Sequence, residues 1–178
     1  QHGNMQDVGY DMYIKLLNEA VSEEKGEKSK SYEIECLVDL QVQAYIPENY
    51  ITNVNQRLDI YRRISDIRSD EDARDVIDEL IDRFSDVPSS VKGLIDIALI
   101  RNTAASLSIY EIKQRNDCIN LYQKNLDMQS VSKLIKSVNN KVMVNAGQKP
   151  YISIKLNKQD NPIKVLSQAL NVILAQDV

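Results

Sequence analysis

The sequence predicts an α+β domain: a helical layer packed on a small β-sheet, with an N-terminal strand and three helices followed by a β-β-α-β-β-α half. Three observations carry that reading. Residues 38–46 alternate, with Val38, Leu40, Val42, Ala44 and Ile46 on one side and Asp39, Gln41, Gln43 and Tyr45 on the other, the period-two pattern of a half-buried strand. Residues 54–107 then hold three successive apolar runs at helical spacing. Beyond Ser108 short alternating runs return, punctuated by turn residues, with a helical run after each pair.

Taken in order, Pro47 lacks a ladder donor and holds Ile46 extended, so the chain leaves the strand there and turns through residues 48–52. The first helix places Val54, Leu58, Ile60, Tyr61, Ile64 and Ile67 at helical spacing. It leaves Arg57, Arg62, Arg63 and Asp66 for water or a partner. Ser69 before Asp70, Glu71 and Asp72 is an N-terminal cap with acids in the first turn. Over residues 70–84, at about 100° per residue, Ala73, Val76, Ile77, Leu80, Ile81 and Phe84 fall within an arc of roughly 140°. Glu71, Asp75, Asp78, Glu79, Asp82 and Asp86 fall opposite, flanked by Arg74 and Arg83. Pro88 suits the start of the next helix, 91–107, which is apolar over most of its surface between Leu94 and Ile100 apart from Asp96, as befits a central helix. Residues 109–115 and 118–123 alternate about an Asn116-Asp117 turn and read as a hairpin. Residues 128–138 are helical, 142–145 and 151–156 are strands joined by a turn at 146–150, and Pro162 opens a final amphipathic helix running to Leu174. The repeated β-β-α order suggests two similar halves.

Ahead of this domain, residues 1–8 read as the tail of a preceding element. From Gly9, Tyr10, Tyr13, Ile14, Leu17, Ala20 and Val21 share one helical stripe. Residues 22–35 mix both charges with Gly and Ser and read as a flexible charged linker. The expected organisation is a preceding tail and connecting helix at 1–21, the linker at 22–35, and the domain at 36–178. The chain lacks an initiating Met, which fits a piece of a longer protein.

With 43% hydrophobic and 27% charged residues the chain is globular, and with one Phe and no Trp its core must be Ile, Leu and Val. Cys36 and Cys118 stand alone in no C-x-x-C pattern and read as two buried, reduced thiols of a cytoplasmic protein. No apolar run approaches the ~20 residues of a membrane span. Residues 1–100 carry 11 Lys+Arg against 21 Asp+Glu, a balance of −10, while residues 101–178 carry 11 against 5, a balance of +6. Such polarity argues for oriented docking on something charged, although a fold can also place both ends in water without consequence.

Enzymatic signatures do not emerge. The single histidine, His2, has no second imidazole for a triad or a zinc site, and neither a Walker loop nor a G-x-G-x-x-G is present. No catalytic, cofactor-binding or metal residues are expected. The acidic ridge is either a solvated face or a docking surface for a basic partner; acids spread along a helix are not a calcium loop. The basic half offers the alternative of an accessory nucleic-acid-binding module, with Lys133, Lys136, Lys141, Lys149, Lys155, Lys158 and Lys164 on a face and Tyr110, Tyr122 and Tyr151 as stacking residues, or else a solubilising lysine scatter.

Several blocks, in order, carry a resemblance. They are Gln1, Gly3 and Met5 with Val8-Gly9-Tyr10-Asp11-Met12-Tyr13; Ala44-Tyr45-Ile46-Pro47-Glu48-Asn49-Tyr50-Ile51; Arg57-Leu58 and Tyr61-Arg62-Arg63-Ile64; and Glu79-Leu80-Ile81-Asp82-Arg83-Phe84 with Pro88. Together they resemble the C-terminal (TRCF) domain of the bacterial transcription-repair coupling factors, Mfd, preceded by the tail of the motor domain. The resemblance implies a parent that is an ATP-dependent, Mg-requiring double-stranded DNA translocase of nucleotide excision repair. Such a parent displaces stalled RNA polymerase and recruits UvrA. The terminal domain is implied to be non-catalytic and autoinhibitory, folding back on a UvrB-like N-terminal module and masking its UvrA-binding surface; the chain itself is expected to be monomeric. On that reading Glu79 and Asp82, with Asp75, Asp78 and Asp86, are the docking residues, facing arginines of that module. Ser85 and Ser108 depart from the family, which has Gly there. If these positions are left-handed, each side chain costs about 1 kcal/mol.

Overall fold

The structure, a computed structural model, describes residues 36–175. The expected motor tail, connecting helix and linker at 1–35 lie outside the described residues, as do 176–178. The described chain divides into two compact units, residues 43–99 and residues 36–42 with 100–175.

The first unit is helical. Helix α1 spans Val54–Ser65 behind an Asn53 cap whose side chain accepts from the Gln56 N–H. Helix α2 spans Asp70–Arg83 behind Ser69, which accepts from the Asp72 N–H. Helix α3, Ser89–Ser106, gives this unit its residues through Leu99. Ile60, Ile64, Leu80, Val91 and Ala98 are completely buried in this unit, and in the first half of α3 only Ser89, Lys92 and Asp96 are exposed. Asp96 sits partly desolvated, which raises its carboxyl against the opposing pull of Lys92.

The second unit holds a five-stranded sheet of order β1-β2-β3-β5-β4: β1 at Leu37–Asp39, β2 at Ile109–Arg115, β3 at Cys118–Gln123, β4 at Val142–Asn145 and β5 at Tyr151–Lys155. Helices α4, Met128–Ser137, and α5, Pro162–Leu174, pack on each other. Only β1 is parallel to its neighbour; the other pairs are antiparallel, with Ile112 opposite Leu121 and Leu121 opposite Ile152. Each hairpin sends its second strand to the middle, where β3 and β5 pair antiparallel. That is the arrangement expected of two β-β-α halves related by an approximate two-fold. Ile112, Ile119, Leu121, Ile152 and Ile154 are completely buried, as are Leu134 of α4 and Leu166 of α5. Cys36 is 1% exposed; burial pushes its thiol up to about 12, against the pull of Arg101, so it is a packed and unreactive group.

The first strand is shorter than its pattern predicts. Only Leu37–Asp39 pairs, although Val38, Ala44 and Ile46 are buried and Asp39, Gln41 and Gln43 exposed. The main chain beyond Asp39 bonds elsewhere: Gln41 N–H to Gln114 Oε1 at 2.8 Å, Val42 N–H to Leu40 O at 3.0 Å, Tyr45 N–H to Ser90 O at 3.3 Å, and Ile46 N–H to the Tyr61 hydroxyl at 2.9 Å. An extended chain alternates its side chains whether or not a ladder forms, so the pattern survives without the strand.

Candidate functional site

The acidic ridge predicted on α2 exists, but it divides into two parts. The helix buries Ala73, Val76 and Leu80, half-buries Ile77, and leaves Ile81 46% exposed at the margin of its apolar face. Asp72 belongs to the helix start, where its Oδ2 accepts from the Arg68 N–H at 2.9 Å. Acids in the first turn also oppose the positive helix end.

Glu79 is engaged within the unit. Its Oε2 forms an ion pair with Arg63 of α1 and its Oε1 accepts from Arg83 at 3.0 Å, with 26% of the side chain exposed. Glu79 therefore joins α1 to α2. Asp75, Asp78 and Asp82 are exposed and form no ion pair with the described residues. With Glu71, at steps of four, three and four, they lie within an arc of about 60° at ~100° per residue. Asp86 is exposed in the turn beyond.

That turn is held by Tyr50, whose hydroxyl donates to Ser85 O at 2.9 Å and whose ring lies 5.9 Å from Phe84. Burial, and secondarily Asp86, raise the Tyr50 hydroxyl. Arg83 stacks over Phe84 at 4.9 Å. Helical spacing exposes the Glu79–Arg83 link, four residues apart. The Arg63 partner comes from another helix and leaves no local signal.

In the basic half, the tyrosines named for stacking pack on one another. Tyr110 and Tyr122 rings are 6.3 Å apart, Tyr122 and Tyr151 are 5.0 Å apart, and Tyr122 is buried. Lys133 reaches Ala175 O at 2.8 Å and Lys155 lies 3.8 Å from Asp117, while Lys136, Lys141, Lys149, Lys158 and Lys164 are exposed. Among the described residues no three His, Cys, Asp or Glu side chains cluster so as to hold a metal, and no helix is long and apolar enough to cross a membrane.

Among the described residues, five helices and a five-stranded mixed sheet, with charged surfaces as the salient chemistry, define a mixed α+β domain. A solved structure described as the C-terminal domain of transcription-repair coupling factor shares this fold, with a TM-score of 0.69 at 19% identity over 79% of this chain and 92% of that one. Residues 40–134 match the TRCF domain family. The transcription-repair-coupling factor of Staphylococcus aureus strain USA300 is 33% identical over 166 residues, 93% of this chain and 14% of the relative. That of Bacillus subtilis strain 168 is 36% identical over 121 residues, 68% of this chain and 10% of the relative. The chain belongs to the transcription-repair coupling factor family and contains its TRCF domain. It spans about a tenth to a seventh of the length of these relatives.

Proposed function

We propose that this domain is a non-catalytic, autoinhibitory part of a cytoplasmic ATP-dependent DNA translocase that couples transcription to nucleotide excision repair. It docks on a UvrB-like N-terminal module and masks the UvrA-binding surface until the motor, which carries the ATP and Mg, engages stalled RNA polymerase on double-stranded DNA. The supporting observation is the stripe of Asp75, Asp78 and Asp82, exposed and without an ion pair to the described residues. Like charges on one helix face repel by a few tenths of a kcal/mol per pair, a cost that a basic partner relieves. Glu79, satisfied by Arg63 and Arg83, maintains the helix pair that presents the stripe.

An exposed ion pair contributes about 0–1 kcal/mol, so three together supply at most ~3 kcal/mol, or about a hundredfold shift between closed and open states. A latch of that size holds yet releases when the motor moves. Reversing Asp75, Asp78 and Asp82 to Lys in the full-length protein opens it to UvrA without altering ATP hydrolysis by the isolated translocase. UvrA binding that stays repressed in that variant places the latch elsewhere.

A further inference from the structure

Among the described residues strand β4 ends the sheet and pairs with β5 alone. Its hydrogen-bonding phase follows from one contact, the Lys155 N–H donating to Lys141 O at 2.9 Å. Lys141 and Lys155 lie one step beyond the Val142–Ile154 pair, so they are a bonded pair. Because bonded and non-bonded pairs alternate along an antiparallel ladder, Met143 and Asn145 direct their main-chain groups to β5. Val142 and Val144 direct theirs outward. Natural sheets blunt such an edge with charges, proline or a bulge. Here the strand reads Val142-Met143-Val144-Asn145 in unbroken register, with Met143 45% and Val144 40% exposed. Helix α4 packs beside β4 and carries Ile135, 61% exposed.

Lysines predominate around this edge, with Asp160, which accepts from Asn140 at 2.8 Å, and Asp117, 3.8 Å from Lys155, as carboxylates beside it. From Met128 to Gln159 the chain carries Lys133, Lys136, Lys141, Lys149, Lys155 and Lys158 and no carboxylate. Lys141 immediately precedes β4 and Lys149 lies in the turn from β4 to β5; both are exposed, and neither forms an ion pair with the described residues. A second copy of the chain would bring the same lysines against these, which opposes pairing. A nucleic acid would find phosphate partners but nothing to match the outward N–H and C=O groups or the apolar side chains. The tyrosines named for stacking a base, Tyr110, Tyr122 and Tyr151, are packed on one another.

We propose that the open edge of β4 receives, as an added strand, an extended acidic segment of another protein. Its main chain bonds Val142 and Val144, its apolar side chains, all on one face, extend the face of Val142 and Val144, and its carboxylates, on the other face, meet Lys141 and Lys149. This surface is built from other residues than the acidic stripe on α2, so charge reversal there leaves those residues unchanged and the two readings fail independently.

The test is an anisotropy titration of the 178-residue chain, at physiological salt, with a labelled nonapeptide alternating Glu and Val. Its Lys-for-Glu counterpart and a nine-nucleotide single-stranded DNA serve as rivals. The Glu peptide binds at least tenfold more tightly than either, and it slows amide exchange at Val142 and Val144. V144P removes an outward donor without taking a ladder bond and weakens binding at least fivefold. K141E with K149E, which leave the strand itself untouched, remove the preference for Glu over Lys. The proposal is overturned if neither peptide binds up to millimolar concentration, if both bind equally, if the DNA binds more tightly, or if exchange at Val142 and Val144 does not change. A concentration-dependent dimer that V144P abolishes would also overturn it, by assigning the edge to a second copy.

Discussion

Two serines occupy backbone that favours glycine, and replacing them is expected to stabilise the protein. Ser85 has φ 150° and Ser108 has φ 60°, each one to two residues past a helix end. Ser85 follows the α2 cap Phe84; its N–H reaches back to Leu80 O at 3.3 Å, and its carbonyl accepts the Tyr50 hydroxyl. Ser108 leads from α3 into β2, its N–H bonded to Ala105 O at 3.1 Å. The left-handed conformation costs an L-residue about 1–2 kcal/mol, and glycine returns about 0.5–1 kcal/mol of that through its looser unfolded state. The net expectation is a gain of about 0.5–1 kcal/mol for Ser85→Gly and for Ser108→Gly. Because the two residues lie in different compact units and share no partner, the double variant should gain about the sum. Urea unfolding followed by circular dichroism measures this, with Ser85→Ala and Ser108→Ala as controls that keep the Cβ. If the alanine variants gain as much as the glycine variants, the side chain and not the backbone is responsible, and the reasoning fails. If Gly at both positions is neutral or destabilising, no strain is stored there.

Tyr61→Phe removes the hydroxyl that accepts the buried Ile46 N–H at 2.9 Å, leaving that donor without its partner; the expected loss is about 1–3 kcal/mol in the same assay, and a loss below about 0.5 kcal/mol would show that another acceptor takes over. Asp127 caps α4, accepting from the Gln129 N–H at 3.1 Å and the Ser130 hydroxyl at 2.7 Å, so Asp127→Ala should cost about 1 kcal/mol. The Ser130 hydroxyl first, and then main-chain N–H groups and Lys133 against the opposing effect of burial, hold the Asp127 carboxyl below its ordinary value. A folded value below the unfolded one means that this stability is present above about pH 4 and is lost as pH falls through the folded value. The advantage of wild type over Asp127→Asn should therefore be flat from about pH 8 to 5 and shrink in stronger acid; an advantage that grows on acidification contradicts the assignment.

Most of the second unit is legible in the sequence because its signals are local. The Asn116-Asp117 turn fixes the β2–β3 register, and Asn116 accordingly takes φ 54°. Asp127 and Pro162 mark helix starts through side-chain and ring chemistry that requires no distant partner. The length of β1 is not legible in the same way. Whether residues 40–46 form a ladder depends on Tyr61, Ser90 and Gln114 offering competing partners from far along the chain. The same limit applies to the acidic face. A helical wheel places Glu79 among the acids, but only the neighbouring helix, with Arg63, makes it a structural residue. The openness of the β4 edge likewise follows from the strand order, in which β5 rather than β4 takes the place beside β3.

The net charge of −4 conceals two surfaces of opposite sign, one in each compact unit. Asp75, Asp78 and Asp82 form no ion pair with the described residues, and neither do Lys136, Lys141 or Lys149. Solubility alone would explain both equally well, but solubility depends chiefly on the magnitude of surface charge, whereas docking depends on its sign at particular positions. Neutralising substitutions lower the charge and weaken any partner at once, and so do not separate the two explanations. Reversal does. Converting three aspartates to lysines changes the net charge from −4 to +2, while converting Lys141 and Lys149 to glutamates changes it to −8. The second change raises the magnitude of net charge, so a purely solubilising surface would tolerate it without loss. A loss of binding specificity in that variant, with solubility kept, is an effect that only recognition by sign produces.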